Sequence, residues 1–297
     1  MALRTISLCA GIGGLDAGVR LAIDTRTVCY VERDSYCAAT LVARMQEGAL
    51  DDAPIWDDIS TFDARPWRGV VDLVIGGFPC QPFSLAGKGL GADDPRHLFH
   101  HVARVVSECR PAVCFFENVP GLIRRGLEQV RADLRGMGYH VAAGTFSAED
   151  VGASHKRERL FILAVADGDL GGREAVGRGW LPDGQRAALR DDSYRRDGES
   201  AVADADNARP QGRVLIIDGQ GELPPRESGT ERSLFAPGRE HRDWPAGLKP
   251  AICRVAHGPS RRMVRPVGTV PRLRALGNAV VPVVAAVAFR ELWRRMT

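Results

Sequence analysis

A doubly wound α/β fold is what the sequence predicts, and three observations predict it. Short, β-rich apolar runs alternate with segments of helical period through the first 165 residues. Glycines follow directly on the first and third of those runs, at Gly11 to Gly14 and at Gly76 and Gly77. Residues able to do chemistry fall where the strands end. Gly11, Glu32, Asp58, Cys80 and Glu117 all stand at the carboxyl edge of such a sheet, the edge at which these folds bind ligands.

Taken in order, Thr5 to Cys9 reads as the first strand, and the helix Leu15 to Ile23 follows its glycine turn. Thr27 to Glu32, with its β-branched and aromatic residues, reads as the second strand, and Ser35 to Gln46 as the next helix. Val70 to Ile75 is an apolar run that Gly76 and Gly77 stop. Arg96 to Glu108 is expected to be helical, Ala112 to Glu117 a buried strand, and Leu122 to Met137 one continuous helix. Tyr139 to Phe146 and Leu160 to Val165 complete the strands.

After Val165 the texture changes. Ala166 to Trp244 is rich in Gly, Arg and Asp and poor in apolar runs apart from Val214 to Ile217, too little for a large core of its own. A faint repeat, Ala-Val-Ala-Asp-Gly-Asp at Ala164 and Ala-Val-Ala-Asp-Ala-Asp at Ala201, is too short for a repeat architecture. Val283 to Arg295 then restores helical spacing, with Phe289, Leu292 and Trp293 on an apolar face and Arg290, Arg294 and Arg295 late in the helix. Residues 1–165 and 268–297 are therefore expected to form one domain, with 166–267 a small, partly loose insertion.

The 297 residues, 44% hydrophobic, can bury a sizeable core. A net charge of +3 announces no basic tail, so any nucleic-acid surface has to come from local arginine clustering. Seven cysteines lie scattered without a Cys-x-x-Cys pair, which indicates neither a disulfide framework nor a metal site. Met1 to Arg20 lacks a signal peptide's apolar stretch and no run reads as long enough to span a bilayer, so a monomer in a reducing cytoplasm is expected.

The sharpest local signal is Gly76-Gly77-Phe78-Pro79-Cys80-Gln81-Pro82-Phe83-Ser84. Free cysteines are most often small buried apolar groups. A core strand, however, has no use for Pro79 and Pro82 on both sides of Cys80, whereas an aimed nucleophile does. Glu117 closes a buried strand, where it suits either acid chemistry or helix capping before Pro120 and Gly121. Arg157 and Arg159 alternate into the last strand and so project to one face, as pocket residues or as a solvated edge. Gly11, Gly13 and Gly14 permit a tight turn against a ligand, and Glu32 can accept hydrogen bonds from ribose hydroxyls. Those glycines alone would equally suit a nicotinamide-dependent oxidoreductase.

The nine-residue string around Cys80 resembles the catalytic loop of the C5-cytosine-specific DNA methyltransferases of bacterial or phage type. Further blocks occur in that family's order: Ser7 to Leu15, Phe116 to Gly121, Lys156 to Leu160 and Ala275 to Pro282. The resemblance implies an S-adenosylmethionine-dependent methyltransferase sheet, of Rossmann-like type, with an inserted target-recognition region. It implies S-adenosyl-L-methionine as cofactor, duplex DNA as partner and restriction-modification as the setting.

By this resemblance Cys80 adds to carbon 6 of a flipped cytosine, Glu117 holds and protonates the ring, Arg159 contacts the base and Arg157 organises the pocket. Leu8, Gly11, Ile12, Gly13, Gly14, Glu32, Asp58, Ile59, Gly77, Pro79, Asn278 and Val280 would bind the cofactor. Asp58 stands at the adenine position, although it also suits a turn cap, and Asn278 stands where the pocket closes, although it also suits a turn. Gln81, Ser84 and Lys88 would meet the DNA backbone. The chain departs from the family at Cys9, where an aromatic is usual, and at His155, where glutamine is usual. A tRNA cytosine methyltransferase of the same fold and an inactive DNA-binding relative are the alternatives.

Overall fold

The computed structural model describes residues 2–79, 98–153, 155–167, 213–216 and 269–296. Among the described residues eight strands form one sheet: β1 Leu3–Leu8, β2 Thr25–Val31, β3 Ile55–Trp56, β4 Leu73–Gly76, β5 Val113–Asn118, β6 Tyr139–Phe146, β7 Arg159–Ala166 and β8 Arg213–Ile216. Seven α-helices accompany it among the same residues: α1 Gly14–Ala22, α2 Ser35–Gln46, α3 Phe99–Cys109, α4 Leu122–Arg125, α5 Leu127–Gly136, α6 Thr269–Asn278 and α7 Pro282–Met296. The strand order is β3-β2-β1-β4-β5-β7-β6-β8. Strands β1 to β5 pair in parallel with one another, whereas β7 runs antiparallel to both β5 and β6. The order reverses between β1 and β4, which opens a crevice at their carboxyl ends.

Helices cover both faces, so the central strands carry near-continuous apolar sequence; every residue of β5 is buried. One face packs against α3 and α5 through Val102, Val106, Val130 and Leu134. The other packs against α1 and α7 through Val19, Val284, Phe289 and Leu292. On that second face Phe115 stacks on Phe161 at 5.5 Å and meets Phe289 edge-on at 5.1 Å. Such aromatic pairs add about 0.5–1.5 kcal/mol each beyond their burial. Helix α7 approaches α1 so closely that a Cβ on Gly14 would lie 2.5 Å from the Val280 carbonyl oxygen, and one on Gly18 would lie 2.6 Å from that of Pro282.

The doubly wound expectation holds, with corrections in detail. The third predicted strand begins at Leu73 rather than Val70: Val70 is 39% exposed, and its N–H turns back to the Trp67 carbonyl. Leu122 to Met137 is not one helix, because the chain breaks at Gly126, whose φ of −163° is extended. Strands β3 and β8 and helix α6 were not expected, and β8, from the middle of the chain, pairs antiparallel with β6. Val270–Met296 is also long and apolar enough to cross a membrane by length and composition, contrary to the sequence reading. Its apolar residues Val284 to Phe289, Leu292 and Trp293 are buried against the sheet and α1.

Candidate active site

Between β1 and α1 the backbone makes a compact loop in which Cys9, Gly11 and Gly13 all take positive φ, at 50°, 58° and 78°. Three bonds fix it. The Gly13 N–H closes a turn onto the Ala10 carbonyl at 2.9 Å. The Gly11 N–H donates to Glu32 Oε2 at 2.7 Å, and the Arg44 guanidinium donates to the Ile12 carbonyl at 2.5 Å. The other Glu32 oxygen accepts the Asp34 N–H at 2.8 Å. A carboxylate offers about four lone-pair sites, so two remain for a ligand. Glycine is favoured at position 13, where φ is left-handed and a Cβ would lie 2.5 Å from the end of the Leu50 side chain.

The loop forms one wall of a cleft. Ser7, Leu8, Cys9, Ala10, Gly11, Ile12, Gly14 and Leu15 line it from β1 and α1, Gly77 and Glu117 from β4 and β5, and Asn278, Ala279 and Val280 from the α6–α7 junction. Glu117 is 7% exposed. Its Oε1 accepts from Arg159 Nε at 2.9 Å. The register explains the pair: Glu117 lies opposite Phe161, so Arg159, two residues earlier on antiparallel β7, is its diagonal neighbour on the same face. A Cβ on Gly77 would lie 3.4 Å from Glu117 Oε2, so glycine leaves that oxygen open toward the cleft.

Burial pushes the Glu117 carboxyl up to about 7, against the opposing pull of Arg159 and Arg157. Arg157, at φ 30°, gives its guanidinium to the carbonyls of Gly277, at 2.8 Å, and Ala279. It thereby ties the C-terminal wall to the segment that carries Arg159. Beside Glu117, Asn118 Nδ2 donates to the Phe78 carbonyl at 3.0 Å and so fixes the chain two residues before Cys80.

The C-5 cytosine-specific DNA methylase family matches residues 3–173, which hold the glycine loop, Gly77, Glu117 and Arg159. This chain belongs to that family. Among its methylase relatives, type II methyltransferase M.Eco47II of Escherichia coli is 31% identical over 82% of this chain and 55% of its own length. Type II methyltransferase M.PspPI of Psychrobacter is 39% identical over 54% of this chain and 39% of its own length. The chain thus spans about half the length of these relatives or less. The Entamoeba histolytica methyltransferase EhMeth shares the fold, with a TM-score of 0.57 and 15% identity over 100% of this chain and 99% of that one.

Of the methylase residues expected from sequence, Leu8, Gly11, Ile12, Gly14, Gly77, Glu117, Asn278 and Val280 come together around the cleft. Gly13 and Glu32 stand behind the loop and shape it. Asp58 and Ile59 do not line the cleft: Asp58 accepts the Ser60 N–H at 2.8 Å as a turn cap, and Ile59 is buried in the core. Pro79 is exposed, as is His155. Cys80, Gln81, Ser84 and Lys88 lie outside the described residues. Sequence reasoning missed Ser7, Ala10, Leu15 and Ala279 as lining residues. It also missed Asp16, an acid on a helix face otherwise apolar, whose position among Leu15, Val19 and Ala22 was the available signal.

Proposed function

We propose that this chain transfers a methyl group from S-adenosylmethionine to carbon 5 of cytosine within a specific duplex DNA site. One observation carries the reading: a buried acid with a raised pKa, clamped by Arg159, opens past Gly77 onto a glycine-walled cleft, and Gly77 leads in sequence through Phe78 and Pro79 to Cys80. The residues fit the cofactor. The loop leaves open space where a Gly11 side chain would stand, and Glu32 keeps spare acceptor capacity for a diol. When bound, the cofactor supplies an electrophilic methyl group on a sulfonium.

Carbon 5 of cytosine is too weak a nucleophile to take that methyl unaided. The Cys80 thiolate adds to carbon 6, and the electron pair displaced through the ring is met at N3 by the Glu117 proton. The resulting enamine carries nucleophilic density at carbon 5, which would form the new carbon–carbon bond as the methyl's bond to the sulfonium breaks and leaves a neutral thioether. Loss of the carbon 5 proton to solvent, expulsion of the thiolate and return of the N3 proton to Glu117 restore the aromatic ring. Arg159 fixes the rotamer of Glu117 and offsets its charge after proton donation. A stacked cytosine hides carbon 6, so the base has to be extruded at a cost of a few kcal/mol, repaid by contacts to the backbone from Gln81, Ser84 and Lys88. Site choice falls to the 166–267 segment.

The test is covalent trapping on random duplex pools containing 5-fluorocytosine, with cofactor present. Fluorine cannot leave as a cation, so an active thiol is caught on the DNA, and Cys80→Ser is expected to abolish the adduct while still binding cofactor. Trapping by the Cys80→Ser chain, or labelling of tRNA in place of DNA, would overturn the proposal.

A further inference from the structure

Beneath the cleft lies a carboxylate that the proposed chemistry does not use. Asp16, in the first turn of α1, is 5% exposed. Its two oxygens accept from two neutral hydroxyls, Ser7 Oγ at 2.9 Å and Thr27 Oγ1 at 3.1 Å. Ser7 is itself a wall of the cleft. A buried charge held only by neutral donors is costly, and an apolar residue at this helix position would pack without that cost.

Among the described residues, its partners do not neutralise it. From the neighbouring loop Asp51 adds a second carboxylate, which accepts the Thr27 N–H at 2.9 Å, while from β2 the Tyr30 hydroxyl donates to the Asp51 carbonyl. Arg20, one turn along α1, gives its guanidinium to Asp51 at 3.4 Å. From α7, Arg290 donates to the Leu21 carbonyl at 2.5 Å, at the far end of α1. Across the cleft stands Glu117, already paired with Arg159. Among the described residues, Asp16 and Asp51 have one guanidinium against them, that of Arg20 on Asp51, which leaves a net negative charge under Ser7.

We propose that Asp16 is a positioning residue whose carboxylate, acting through Ser7, makes the cleft favour a cationic sulfonium ligand over its uncharged thioether product. The inference rests on the donor named above. S-adenosylmethionine and S-adenosylhomocysteine differ by one methyl group and one positive charge, so a field that tells them apart holds the substrate and lets the product go. Burial pushes the Asp16 carboxyl up to about 6, so the charge is present at neutral pH and lost in mild acid.

The experiment is calorimetric titration of the full chain with each ligand. At about pH 7.5, Asp16→Asn is expected to weaken S-adenosylmethionine by roughly 5- to 10-fold and S-adenosylhomocysteine by less than about 2-fold. A role in packing alone would weaken both equally, and an unchanged ratio overturns the proposal. A second arm needs no substitution at Asp16. In a Glu117→Gln background, which removes the other titrating acid in the cleft, the preference for the sulfonium should fade between about pH 7.5 and about pH 5. A ratio constant across that range overturns the inference even where Asp16→Asn fails to fold. Binding of neither ligand by the unaltered chain would instead defeat the donor assignment beneath it.

Discussion

Glu117 shows how a single environment sets a chemical role. An ordinary carboxyl is ionised at neutral pH and has no proton to give, but burial lifts this one to about 7, where protonated and ionised forms coexist. In the proposed reaction donation to N3 requires the protonated form, so kcat/KM should fall as pH rises through about 7. Glu117→Gln should cost roughly 10²- to 10⁴-fold in turnover and erase that limb of the pH profile. A profile unchanged in the variant would move proton donation elsewhere. Asp16 is raised for the same reason, with a consequence for stability. An acid whose folded pKa lies above its unfolded value favours the fold most at low pH, and that contribution is lost as pH rises from about 4 through about 6. The loss is on the order of 3 kcal/mol. Asp16→Asn should therefore melt at a higher temperature than the unaltered chain at about pH 8, and the gap should close near about pH 4. No gap at pH 8 would mean that the carboxylate is better solvated than its burial implies.

At the scale of elements, the junction of α1 with α7 is where substitution should be felt most. Gly14→Ala places a methyl group against the Val280 carbonyl, and backbone cannot rotate aside as a side chain can. A cost of about 1–3 kcal/mol is expected in thermal melts, with a matching loss of donor affinity because Val280 lines the cleft. Gly136→Ala, whose Cβ would meet open space, is the control and should be neutral or mildly stabilising. The same contrast explains which parts of the fold were legible in the sequence. β5 and β7 announce themselves through uninterrupted apolar residues, since both their faces are covered. Two-residue β3 leaves no periodicity to read, and α6 carries Pro271 and four polar positions in a mixed segment. The break at Gly126 hides inside an otherwise periodic run, because one glycine in a helical pattern is usually tolerated. In the site, the glycine loop and Glu117 were legible from residue type and strand ends. The grip of Arg157 on Gly277 and Ala279 was not, since nothing local marks a contact across 120 residues or more.

For the molecule as a whole, the two faces of the sheet have different tasks. Phe289, fully buried against Phe115, anchors the helix that carries the C-terminal wall of the cleft. Phe289→Ala should cost about 3–5 kcal/mol and weaken donor binding even well below the melting temperature. Leu134→Ala, on the opposite face, should cost about 2–5 kcal/mol and leave donor binding intact. Equal effects of both on binding would mean that the wall is held by something other than α7. The wall formed by Asn278, Ala279 and Val280 also imposes an order of events. A nascent polypeptide that has left the ribosome only as far as β7 already owns the glycine loop, Gly77 and Glu117, yet it is missing one side of its own receptacle. Synthesis therefore has to run past Val280 and into α7, which holds that wall, before the cleft is closed.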